Sequence, residues 1–141
     1  MNLLRATVAP LANGYAFFRD VVITGSHVAS INAVGQDLAD LAAIDSVTFA
    51  LLRCHRPALT DRVRVLDWTM ASPGLPLVTT QGKATRDALR QALHEVVHDR
   101  AHRETCRTLL IETVVVLPCD AHDAVQHLEN YATNVGYPLL A

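Results

Sequence analysis

Apolar residues fall along this chain in short clusters whose period changes, and those changes predict its elements. Leu3, Leu4, Ala6, Thr7, Val8 and Leu11 predict a short first helix ending near Pro10, and Asn13-Gly14 reads as a turn. Val21-Val22-Ile23-Thr24 is a compact β-branched run of the kind that forms a buried parallel strand. After Gly25-Ser26, the residues Val28, Ala29, Ile31, Ala33 and Val34 return at helical spacing, with Ser26 as a natural N-cap. The pattern then repeats. Leu41-Ala42-Ala43-Ile44 predicts a second strand, and Asp45-Ser46 opens a helix carrying Val47, Phe49, Ala50, Leu51 and Leu52 that closes before Pro57. Val63-Arg64-Val65-Leu66 predicts a third strand. Residues 20–69 thus read β-α-β-α-β, an α/β unit around a parallel sheet whose crossovers close right-handed.

The organisation changes beyond residue 69. Met70–Pro76 reads as a linker and Leu77-Val78-Thr79 as a short return strand. Helical stretches follow near 84–98, 101–112 and 120–134, with Val114–Pro118 as a strand or buried link between the last two. The expected division is therefore 1–69, the first helix with the βαβαβ unit, and 70–141, the return strand with the C-terminal helices.

Composition narrows the function classes. The chain has 141 residues, half of them hydrophobic, with a formal net charge of -2. That describes one soluble globular domain, with no basic excess for nucleic acid. No apolar run approaches the roughly 20 residues of a membrane span, so membrane insertion is not expected. The N-terminus is a poor export signal, because Arg5 interrupts its apolar stretch and Pro10 follows, so the chain as written reads as cytoplasmic. Seven histidines make the surface basic in mild acid. Cys54, Cys106 and Cys119 have neither CxxC spacing nor an even count and read as buried thiols.

Two groups of residues carry candidate chemistry. His94-Glu95-x-x-His98 has the spelling of a zinc peptidase, in which two histidines one turn apart hold the ion and the glutamate polarises water. Against it, Ala88, Leu89, Ala92, Leu93, Val96 and Val97 fill one half of this helix, which turns both histidines toward solvent. The extended motif would need Gly and His where Ala101 and Glu104 stand, and nothing singles out Glu112 or Glu129 as a third ligand. His102 continues the row at i+4, so His94, His98 and His102 offer at most a weak nickel or zinc column. The expectation is no metal, no cofactor and no catalytic group. Cys54-His55 are adjacent on one helix and diverge.

The second group is the pair of strand-to-helix turns, where ligands of open parallel sheets sit against helix N-termini. Thr24-Gly25-Ser26-His27 supplies a close backbone approach, hydroxyls and an imidazole donor. Asp45-Ser46-Val47-Thr48 supplies a carboxylate and two hydroxyls. Ser26 and Asp45 also read simply as helix caps; His27 is the residue that capping does not require.

At these residues a resemblance emerges. The stretches VVITGSHVASINAV and ADLAAIDSVTFALLRCHRP resemble the second lobe of the phosphate, phosphite and phosphonate substrate-binding proteins of ABC importers. RVRVLDWTMASPGLPLVT is similar to that family's crossing between lobes, and ENYATNVGYPLLA to its ending, so the likeness spans nearly the whole chain. It implies the βαβαβ lobe of a type II periplasmic-binding-protein fold followed by C-terminal helices, a periplasmic location, an ABC transporter permease as partner, and a small oxyanion ligand. It further implies that His27 donates to a phosphoryl oxygen and that Asp45 accepts from a protonated P–OH. Ser26, Gly25, Ser46, Thr48 and Thr24 are supporting candidates. Val47 stands where some relatives place an acid for a ligand amine, which favours phosphate, phosphite or a simple organophosphonate.

The front of the chain departs from the family. Met1 stands where the anion-gripping helix start of a first lobe would precede NLLRATVAPL, and the C-terminal helices would pack on that absent lobe. A truncated, weakly binding module is therefore expected, one that pairs as a homodimer to cover its apolar surface. The alternatives are a small-molecule-sensing regulatory domain of the same architecture and, less favoured, a zinc hydrolase built on Glu95.

Overall fold

The computed structural model describes residues 2–74 and 76–140; Leu75 of the Met70–Pro76 linker lies outside them. Among the described residues seven α-helices follow in order: α1 (Asn2–Ala12), α2 (His27–Gly35), α3 (Ser46–His55), α4 (Pro57–Thr60), α5 (Lys83–His98), α6 (Arg103–Thr108) and α7 (Asp123–Asn134). Short 3-10 turns at Arg100–His102 and Cys119–His122 precede α6 and α7. The chain divides into two compact units, one built from the chain up to Ser72 together with His122 onward, the other from Pro73–Ala121.

The expected α/β architecture does not form. Among the described residues there is no β-strand, and the fold is all-helical. Residues 21–24, 41–44, 63–66, 77–79 and 114–117 are irregular, and no backbone hydrogen bond joins one of these segments to another. Their side chains are not the core of a sheet either: Val22 is 74 % exposed, Ile23 93 % and Val78 87 %. A helix closes its hydrogen bonds within its own segment, whereas a strand is completed only by a partner. An apolar β-branched run therefore signals strand propensity without supplying the ladder.

In the first unit α1 packs on α7. Ala6, Val8, Ala9 and Ala12 of α1 are buried. On α7, Val125, Leu128, Glu129 and Ala132 are partly or fully buried at helical spacing, and Ala132 is fully enclosed. Small residues on both helices allow close approach, and Leu4, Phe18 and Leu140 close over the contact. Arg5 of α1 reaches Glu129 at 3.4 Å and also donates to the Pro138 carbonyl. Pro10 lies inside α1 rather than ending it. Near the C-terminus it removes only its own N–H bond, and α1 stops at Asn13 and Gly14, both left-handed.

α7 ends in a Schellman motif: Gly136 N–H bonds the Thr133 carbonyl and Tyr137 N–H the Ala132 carbonyl, with Gly136 at φ +82°. That turn swings Tyr137 into the core, where its hydroxyl donates to the Leu140 carbonyl at 2.6 Å and accepts from Phe17 N–H at 3.3 Å. In the same unit α4 packs on both α2 and α3 and so ties them together.

The second unit holds α5, its following 3-10 turn and α6. Its one buried apolar side chain among the described residues is Cys106. The other two cysteines differ from the expectation of buried thiols: Cys54 and Cys119 are exposed, and all three are free. Cys54 sits beside the exposed Arg53 and His55 in the last turn of α3, and Cys119 opens a surface 3-10 turn.

Candidate functional site

The two polar turns become helix starts without becoming strand ends. Gly25 adopts φ +82°, a conformation that side-chain-bearing residues resist, and turns the chain into α2. Ser26 caps α2, its Oγ accepting from Ala29 N–H at 3.1 Å. Thr24 Oγ1 donates to the Ser26 carbonyl at 3.2 Å and lies 2.6 Å from Ser30 Oγ, so the turn is cross-braced by two hydroxyls. Ser30 was not singled out by the sequence; its signal is a hydroxyl one turn beyond the cap. His27 is the first residue of α2 and is exposed.

Asp45 caps α3, with Oδ2 accepting from Thr48 N–H at 2.7 Å. That backbone N–H is the main reason its carboxyl sits below the ordinary carboxylate range. Partial burial opposes the shift; the Thr48 hydroxyl, the positive charge of His27 and the Val47 N–H add to it. His27 and Asp45, from separate turns, are therefore within electrostatic reach of each other. No hydrogen bond among the described residues joins the two turns, so the link is one of charge. Ser46 and Gly25 are exposed beside them, and Thr48 is half-buried.

The two turns present an imidazole, a carboxylate with acceptor capacity left over, and two helix N-termini with their positive dipole ends. Both turns are open to solvent. A separate cavity of about 340 Å³ is lined by Leu3, Ala6, Thr7, Met70, Leu128 and Tyr131, none of them from these turns, and its wall is almost wholly apolar. An apolar wall of this kind cannot repay the desolvation of an anion.

His94 and His98 lie exposed on α5. The expected third member of their row is displaced: α5 stops at His98, Asp99 turns extended at ψ 129°, and His102 belongs to the next 3-10 turn. Among the described residues no three His, Cys, Asp or Glu side chains gather around a common point suited to a metal ion. No helix among them is long and apolar enough to cross a membrane.

A family profile described as "ABC transporter, phosphonate, periplasmic substrate-binding protein" matches residues 4–121 of the 141, from α1 to the 3-10 turn before α7. No curated protein and no solved structure matches the chain significantly.

Proposed function

Because the chain belongs to the periplasmic phosphonate substrate-binding protein family of ABC transporters, we propose that it binds a small phosphorus oxyanion (phosphate, phosphite or a simple organophosphonate) between the starts of α2 and α3. A binding or transport role comes with the family; the ligand and its site are our reading. What supports it is that His27 and Asp45 stand exposed at the starts of α2 and α3, two helices that both pack on α4, with the charge of His27 among the causes that lower the Asp45 carboxyl. His27 donates to a phosphoryl oxygen, assisted by first-turn N–H groups of α2 that Ser26 leaves open. Asp45, ionised at neutral pH, accepts from the P–OH of a monoprotonated ligand. Sulfate brings no proton and meets a bare carboxylate, which repels it. Val47, 54 % exposed at the rim, offers nothing to a ligand amine.

The same reading has the chain working as a homodimer delivering ligand to a transporter permease. It is supported by the apolar side chains left in water, Ile23 and Val78 foremost. A monomer in sedimentation at micromolar concentration would count against the pairing.

Thermal melting with phosphate, phosphite, methylphosphonate and sulfate tests the ligand reading. A ligand at 100-fold its Kd adds about 2.7 kcal/mol. The phosphorus anions are expected to stabilise the protein, sulfate is not, and His27→Ala removes the gain. Equal stabilisation by sulfate, or a gain that survives His27→Ala, contradicts the assignment.

A further inference from the structure

Val21, Val22 and Ile23 are 41 %, 74 % and 93 % exposed, and among the described residues their main chains make no hydrogen bond. None of Asp20–Thr24 has a left-handed backbone, so the run extends along a partner without strain. We infer that two copies of the chain pair antiparallel through Asp20–Thr24, and that the partner copy's Arg19 completes the anion site at the start of α2. This rests on the oxyanion reading and adds a second cation to its site. Each chain stays all-helical within itself; the pairing is between chains.

The occupant and its register follow from the residues. An unpaired β-branched run is a template for another such run, and in a two-fold antiparallel pair one residue opposes its own copy. With Val22 in that place, Val21 opposes Ile23 and Asp20 opposes Thr24, so apolar meets apolar and carboxylate meets hydroxyl. Centring on Val21 sets Asp20 against Val22 and Arg19 against Ile23, and centring on Ile23 runs the pair into the bend at Gly25, φ +82°. The Val22 register is therefore favoured, and no like charges are opposed in it.

That register sets Arg19 of each copy across from Gly25 of the other, two residues before His27. Nothing lies within 4 Å of where a Gly25 Cβ would stand, so the approach is open. Arg19 holds only its neighbour Asp20, at 2.8 Å, with both side chains largely in water, a pair that exchanges at little cost. His27 is the single basic residue of 24–27 and 45–48. A guanidinium beside it adds a permanent charge and a fork of donors matched to phosphoryl oxygens.

The test uses the full chain with the exposed Cys54 and Cys119 replaced by Ser. Opposed Cα atoms in an antiparallel pair stand about 4.5–5.5 Å apart, within disulfide reach. Val22→Cys should therefore link two chains under copper–phenanthroline oxidation. Val21→Cys or Ile23→Cys alone should not, whereas the two mixed should link. In calorimetric titration with phosphite, Arg19→Ala should lose roughly tenfold to 100-fold in affinity while still linking through Val22→Cys. Mixing Arg19→Ala with His27→Ala should restore parent affinity at one site of each mixed pair, which a site built from a single chain cannot do. Linking by Val21→Cys alone as readily as by Val22→Cys, or no linking at Val22→Cys, overturns the pairing. Phosphite bound equally by the parent and Arg19→Ala overturns this inference alone. A linked pair that binds no phosphite overturns the oxyanion reading and this inference with it.

Discussion

The positive charge of His27, first residue of α2, reaches the carboxylate of Asp45, the cap of α3, and helps to hold it ionised. The larger contribution comes from Thr48 N–H within α3 itself. Replacing His27 by Ala should therefore raise the titration of Asp45 while leaving it below the ordinary value. Carboxyl carbon shifts followed against pH measure this directly; an unchanged titration would place the two residues out of reach of each other.

Asp45 also makes the fold sensitive to acid. Its carboxyl is lower in the folded chain than in the unfolded one, so its contribution is fully present above the unfolded value of about 3.9. It is lost as pH falls through the folded value. Because the side chain is exposed and screened, the effect rests on the cap, worth about 1 kcal/mol. Denaturant midpoints of the parent and Asp45→Ala should differ at pH 7 and converge near pH 2.

Capping and ligand recognition are separable at the same position. Asparagine caps a helix as well as aspartate does but carries no charge. Asp45→Asn should melt like the parent without ligand yet lose its preference for phosphite over sulfate. A variant that keeps the preference would reduce Asp45 to a cap.

Much of the local structure was legible in the residues. Ser26 and Asp45 both proved to be caps, Asn13-Gly14 proved to be the turn after α1, and α5 and α7 lie close to where the apolar spacing put them, whereas the helix expected over 101–112 is confined to Arg103–Thr108. These signals are satisfied within a few residues of chain. The sheet was misread from Val21–Thr24, Leu41–Ile44 and Val63–Leu66 because pairing depends on distant segments that an apolar run cannot specify. At the turns, residue types were readable, but the Thr24–Ser30 brace and the reach of His27 to Asp45 depend on how α4 draws α2 and α3 together.

The α1–α7 core should be sensitive in proportion to its tightness. Ala132 is fully enclosed, so Ala132→Leu should cost about 1–3 kcal/mol by overpacking. Tyr137→Phe removes the hydroxyl shared by Leu140 and Phe17 and should cost about 1 kcal/mol. Urea midpoints check both; unchanged midpoints would mean that the two helices do not pack through these residues.

The end of α6 holds a strained residue. Leu110 has φ 57° and closes a Schellman motif with Ile111 N–H on the Cys106 carbonyl at 2.8 Å. A leucine there costs about 1 kcal/mol, and with 45 % of it exposed little packing is lost by removal. Leu110→Gly should raise stability by about 0.5 kcal/mol, read from the same urea transitions.

The anion site itself is most directly tested by amide NMR during titration with phosphite. Saturable shifts confined to residues 24–28 and 45–48, and absent in His27→Ala, are the expected result. Shifts centred on Leu3, Thr7 and Tyr131, or no shifts at millimolar phosphite, would contradict a site between the starts of α2 and α3.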